Sequence, residues 1–160
     1  MVDVAFYHLQ AASVETALPQ LLGKCLERHW RAVVEVGDHE KIGELDDHLW
    51  TFSDQVFLPH ASTVSANGVP EPTANRQPIW ITGESDNPNK ADVRFFVSGA
   101  LPPDADPLDA YQRVILMFDG NDGTAVAEAR QVWKRLRDAG HSLSYWQQTD
   151  SGGWKRADNG

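Results

Sequence analysis

Three groups of residues have side chains capable of chemistry. Asp46-Asp47-His48, with His39 and His60 on either side in the sequence, offers the carboxylates and imidazoles that hold divalent metals. Three consecutive positions on a helix diverge by about 100° each, so they do not converge on one ion. No H-x-x-x-H or C-x-x-C pair completes a set, and solvated helix surface is the better reading. Asp119-Gly120-Asn121-Asp122-Gly123 follows an apolar run, at the carboxyl end of a strand where open α/β sheets bind ligands. Its carboxylates would repel a phosphate, and it reads as a plain turn. Cys25, the sole cysteine, falls on an apolar helical stripe and reads as inert core. No G-x-G-x-x-G, G-x-x-x-x-G-K-[ST] or G-x-S-x-G occurs, so no cofactor, metal or catalytic set is assigned.

The third group is basic. Four of the chain's 14 Lys and Arg residues lie between Glu128 and Asp138. On a helix spanning about Thr124 to Ala139, Ala125, Ala129, Val132 and Leu136 cluster on one side. Arg130, Lys134 and Arg137 cluster on the other, with Trp133 at the border. Charge alone would make this a solvated face. A large aromatic beside three cations, in a chain of net charge −9, instead suits an acidic peptide with an apolar anchor. A second stretch, Leu49-Trp50-Thr51-Phe52 then Val56-Phe57-Leu58-Pro59-His60, crowds large aromatics around a short Pro-terminated strand. Its residues divide between core and partner surface.

The elements that must position these residues read as alternating strands and helices. Val2–Leu9 is a strand. Leu18, Leu21, Leu22, Cys25 and Leu26 form one helical stripe, with Pro19 placing the regular start near Thr16 or kinking it there. Ala32–Val36 closes a β-α-β start, which favours a parallel pair. A second helix is expected over Glu40–Leu49, capped by Asp38, with Ile42, Leu45 and Leu49 inward. Val56–Leu58 reads as a short strand, 61–77 as a mobile surface loop, and 79–81 and 93–97 as further strands. Arg113–Phe118, nearly all apolar, suits a strand buried on both faces, and Gly140 is the natural stop of the basic helix. A last strand is expected around Leu143–Trp146.

These elements predict one α/β domain over 1–150 with a frayed tail at 151–160. It is a single three-layer domain, a mainly parallel twisted sheet with helices on both faces, nucleotide-binding-like in topology but without a nucleotide site. A chain with 23 Asp and Glu against 14 Lys and Arg is a poor partner for nucleic-acid phosphate, so any role near DNA is expected to be indirect. A lone cysteine, no signal-like start and no apolar run of about 20 residues point to a cytoplasmic protein without membrane contact.

In order, Phe6-Tyr7, Leu45-Asp46-Asp47-His48-Leu49-Trp50, Phe57-Leu58-Pro59-His60, Pro78-Ile79-Trp80-Ile81, Phe118-Asp119-Gly120, Ala129-Arg130-x-x-Trp133-Lys134, Ala139-Gly140 and Tyr145-Trp146-Gln147-Gln148 resemble the bacterial DNA polymerase III chi subunit family. Each motif is weak; their order across most of the chain is specific. The resemblance implies a non-catalytic adaptor. Such a protein joins the clamp loader through the psi subunit to the acidic, Phe-terminated tail of single-stranded-DNA-binding protein (SSB) during replication. It also implies tail contacts at Arg130, Trp133 and Lys134, to which helix geometry adds Arg137. Some relatives carry a basic residue where this chain has Val126. Psi contacts are implied at Phe57, with Trp50 and Leu58 beside it. An accessory DNA helicase competing for that surface is the alternative partner, and a nucleotide-dependent enzyme on the same fold is the remaining rival.

Overall fold

The computed structural model describes residues 2–10, 13–53, 58–63, 74–103, 108–149 and 153–157. Its strands are β1 (Asp3–Leu9), β2 (Ala32–Val36), β3 (Ala61–Ser62), β4 (Ile79–Thr82), β5 (Val93–Val97), β6 (Arg113–Asp119), β7 (Ser142–Gln148) and β8 (Trp154–Ala157). Its α-helices among the described residues are α1 (Val14–Glu27), α2 (Ile42–Thr51) and α3 (Gly123–Asp138). The strands form one sheet in the order β3-β4-β2-β5-β6-β1-β7-β8, parallel except for β8 against β7.

β1 and β6 sit together near the middle, paired from Asp3–Arg113 to Leu9–Asp119. Their interiors are almost wholly buried, which is where near-continuous apolar strands of a parallel sheet belong. That placement revises the expected start of the fold. β1 and β2 are parallel but not neighbours, because β6 and β5 lie between them. The closing β6-α3-β7 unit likewise spans β1.

One face of the sheet packs on α1 and α2, through Leu18, Leu22, Cys25, Ile42, Leu45 and Leu49. The other packs on α3, through Ala129, Val132 and Leu136. The structure is therefore the three-layer α/β domain that the alternation of elements implied.

Local chemistry decides where the elements begin and end. α1 starts at Val14, ahead of the expected Thr16, and carries buried Pro19 inside it at the cost of one backbone donor. It ends with Trp30 N donating to Cys25 O at 2.9 Å, around His29 at φ 60°. α3 ends the same way, with His141 N on Leu136 O at 3.2 Å around Gly140 at φ 92°. Asp38 does accept from Glu40 N, at 3.1 Å, but what it caps is a 3-10 turn, His39–Lys41, that leads into α2.

The expected strand at 56–58 is not found at Leu58, the one of its residues that is described; Val56 and Phe57 lie outside the described residues. Pro59 has no donor for a ladder, and the His60 ring takes the Leu58 carbonyl at 2.5 Å. Pairing with β4 begins instead at Ala61, inside the stretch expected to be loop. At the other end Trp154–Ala157, expected to fray, forms β8 on β7.

One cation is sealed in the core among the described residues. Arg94 on β5 is fully buried, ion-paired to Glu35 of β2. It donates to the carbonyls of Asp86 (2.8 Å) and Glu84 (2.9 Å) and to the Tyr111 hydroxyl (3.1 Å). Acceptors for both terminal nitrogens, with Nε alone left without one, are what make this buried guanidinium tolerable.

Candidate functional site

α3 is set by its two ends. Asp122 accepts from Thr124 N (3.0 Å) and Ala125 N (3.4 Å), and Gly140 closes the C-terminus. Between them Ala129, Val132 and Leu136 are buried, and Ala125 packs at the edge of the same core. Arg130, Lys134 and Arg137 are exposed on the opposite side.

Trp133 is half-buried at the border. Its ring meets Phe6 edge-on at 5.0 Å and Tyr145 at 5.9 Å, so it is a fixed wall and not a free anchor. Beside it opens a cavity of about 200 Å³ lined by Phe118, Val126, Ala129, Arg130, Trp133 and Tyr145. Five of these present apolar or aromatic surface, and the sixth is a cation.

Of the residues singled out from the sequence, Arg130 and Trp133 line this cavity; Lys134 and Arg137 do not. Arg137 stands 3.5 Å from Asp138, with both side chains about 60% exposed. Arg135, the fourth cation of the segment, is turned away, donating to the carbonyls of Pro102 (2.6 Å) and Pro103 (3.2 Å). Sequence reasoning missed Phe118 and Tyr145 as cavity walls, because β6 and β7 contribute them from either side of β1. It counted Val126 as a missing cation; in the fold Val126 is part of the apolar wall.

The aromatic stretch after α2 resolves differently. Trp50 is 47% exposed and lies on the buried His60 ring at 4.2 Å between centroids. Leu58 is core at 1% exposure, so it supports this surface without presenting itself, and Phe57 lies outside the described residues. Asp46 was expected on a solvated helix face. It is buried, with Oδ1 2.8 Å from His60 Nε2 and Oδ2 accepting from Ser62 Oγ at 2.9 Å. Only Oδ2 gains a hydrogen bond from this arrangement; the His60 Nε2–H is directed at the Asp46 backbone carbonyl at 2.9 Å, and Oδ1 is buried without a hydrogen-bond donor. Asp47 points to solvent, and the half-buried His48 places Nε2 2.6 Å from the Glu15 carbonyl. No group of three or more metal-ligating side chains converges among the described residues.

A larger crevice, about 580 Å³, opens at the carboxyl ends of β1, β5 and β6. Glu15, Asp38, Asp119, Asp122 and Glu128 line it against a single cation, Lys41. A field of that sign opposes a phosphate ligand. The side chains of the 119–123 turn are engaged by nearby backbone: Asp119 accepts from Asn121 N at 2.9 Å, Asn121 donates to Gln10 O at 2.9 Å, and Asp122 caps α3. Among the described residues no helix is long and apolar enough to cross a membrane.

Comparison with known proteins agrees with the motif order. The chain is 29% identical over 126 residues to a protein named "Probable DNA polymerase III subunit chi" from Rickettsia prowazekii, covering 74% of this chain and 71% of the relative. It is 31% identical over 91 residues to the DNA polymerase III subunit chi of Pseudomonas aeruginosa, covering 51% and 63%. The family model described as DNA polymerase III chi subunit, HolC, matches residues 1–144, and the chain belongs to that family.

Proposed function

We propose that the chain is a non-catalytic adaptor of the DNA polymerase III holoenzyme, holding the acidic C-terminal tail of SSB on α3 and the psi subunit on the surface around Trp50. One observation carries the first half: an apolar cavity the size of a single aromatic side chain, with Arg130 and Trp133 among its lining residues. A tail ending in Phe would seat its ring against Phe118, Val126 and Trp133. Its terminal carboxylate would meet Arg130, and the acidic residues before it would run toward Lys134.

A contact of this size gives micromolar affinity, roughly −8 kcal/mol. The several tails of an SSB assembly multiply it through effective concentration. Holding SSB this way lets an acidic protein work at single-stranded DNA without touching phosphate.

The Trp50 surface supports the second half of the reading. Among the described residues Trp50 is the one exposed large hydrophobic side chain, of the aromatic type enriched at partner interfaces, and it is open to such a contact. The accessory helicase is the competing occupant of that surface. The test is a titration with an acidic, Phe-terminated peptide followed by anisotropy, alongside psi co-purification. Arg130→Ala should weaken peptide binding and flatten its salt dependence while psi binding persists. Unchanged peptide binding would remove the assignment of α3.

A further inference from the structure

On the opposite face of the sheet from the Arg130 cavity lies a second opening, of about 300 Å³. Its walls are aromatic. Trp146 of β7 stacks on Tyr7 of β1 at 6.0 Å with planes 13° apart, and Trp154 of β8 meets Tyr7 edge-on at 4.9 Å. Trp30, just past α1, lines it as well, with the Arg28 guanidinium 5.1 Å from its ring centroid.

Its charged lining is wholly basic: Lys24 and Arg28 from the last turn of α1 and its cap, and Arg113 from the start of β6. Arg113 is half committed, donating to Asp3 at 3.1 and 3.3 Å. Lys24 and Arg28 are exposed and have no carboxylate within ion-pair distance among the described residues. Cys25 also lines the opening. Burial pushes its thiol pKa up to about 11, so it adds no negative charge at neutral pH. Three cations around an aromatic hole, in a chain of net charge −9, are a local inversion of the protein's field. Trp146 and Trp154 lie beyond the 1–144 stretch matched by the family model, so part of this wall is built outside that match.

We infer that this opening is a binding site for a small aromatic anion, a one- or two-ring body carrying a carboxylate or sulfonate. The volume is at the lower end for small-molecule sites, which run from about 300 Å³ upward, and is too small for several residues of peptide. The ring would lie among Tyr7, Trp146 and Trp154, with its charge toward Lys24 and Arg28.

Naphthoate is a suitable probe, with naphthalenemethanol as its neutral counterpart, both titrated calorimetrically into the whole chain. Saturable one-to-one binding of naphthoate is expected, with a dissociation constant of about 100 μM. The alcohol should bind about tenfold more weakly, and Arg28→Ala should cost the acid a similar factor. Arg28 is exposed, so that variant keeps the fold, which near-ultraviolet circular dichroism checks. Arg130→Ala, on the other face, should leave naphthoate binding unchanged. The site is refuted by absence of saturation at millimolar probe, by equal binding of acid and alcohol, or by a loss that follows Arg130→Ala in place of Arg28→Ala.

Discussion

His8 Nδ1 lies 2.6 Å from the hydroxyl of Tyr145, joining β1 to β7 directly behind the cavity on α3. Register explains the meeting: Phe6 pairs with Tyr145 across the two strands, so His8 is its diagonal neighbour on the same face. The His8 ring also packs on Phe118 at 5.1 Å. Two walls of the cavity are thus held by one imidazole. Gly120 leaves room for it, since a Cβ there would come within 1.9 Å of the His8 ring.

That imidazole should make stability depend on pH. Burial holds its pKa below the ordinary histidine value; the Gly120 backbone and Asp119 act in the opposite sense, and Arg130 in the same sense as burial. With the folded pKa depressed, the unfolded chain takes up the proton first. The contribution of neutral His8 is therefore complete above about pH 6.5 and declines as pH falls from there toward the folded pKa. Melting curves of wild type and His8→Gln between pH 5 and 8 should converge toward the acid end of this window. A difference that stays flat would mean His8 does not titrate as its burial demands.

The position of each cation relative to the cavity predicts an order of effects on tail binding. Arg130 lines the cavity, Lys134 lies one turn further along the exposed side, and Arg137 has Asp138 for company. Loss of the charge-assisted contact at Arg130 should cost about 1.5–3 kcal/mol, while Arg137→Ala should cost less than about 0.5 kcal/mol. Anisotropy titrations of the three alanine variants with one peptide would show the ranking. Equal losses at Arg130 and Arg137 would point to a diffuse electrostatic contact in place of a seated carboxylate.

Trp50 and Leu58, both named for the psi contact, are opposite in burial, at 47% and 1% exposure. Trp50→Ala is expected to reduce psi co-purification while the chain still unfolds cooperatively and binds the tail peptide. Leu58→Ala should instead destabilise the fold by about 2–5 kcal/mol, measured in urea. If Leu58→Ala abolished psi binding at unchanged stability, the leucine would have to be part of the contact.

His29 is a stabilisation target. α1 closes through a left-handed residue at φ 60°, the position that Gly140 fills after α3. A side chain costs about 1–2 kcal/mol there, and glycine gives back part of that in unfolded-state entropy. His29→Gly should raise stability by about 0.5–1 kcal/mol without touching the Arg130 cavity or the Trp50 surface. Denaturation midpoints decide it, and a loss of stability would show that the His29 ring makes up for its backbone.

Features that depend on near neighbours along the chain are legible in the residue order alone. The periodicity of Leu18–Cys25 and of Ala129–Leu136 placed two helices and their buried faces, because side-chain direction on a helix follows from spacing alone. Gly140 marked the end of α3 for the same local reason, and motif order was enough to suggest the family. It also placed Arg130 beside Trp133. What it could not reach was strand order. Nothing local says that β6 and β5 separate β1 from β2, or that Trp154–Ala157 returns to pair with β7. Those pairings are made by backbone groups far apart in sequence, settled by which strands can be buried on both faces. Through them the tertiary structure turned a basic helix face into a cavity, bringing Phe118 and Tyr145 to Trp133 and making Val126 a wall.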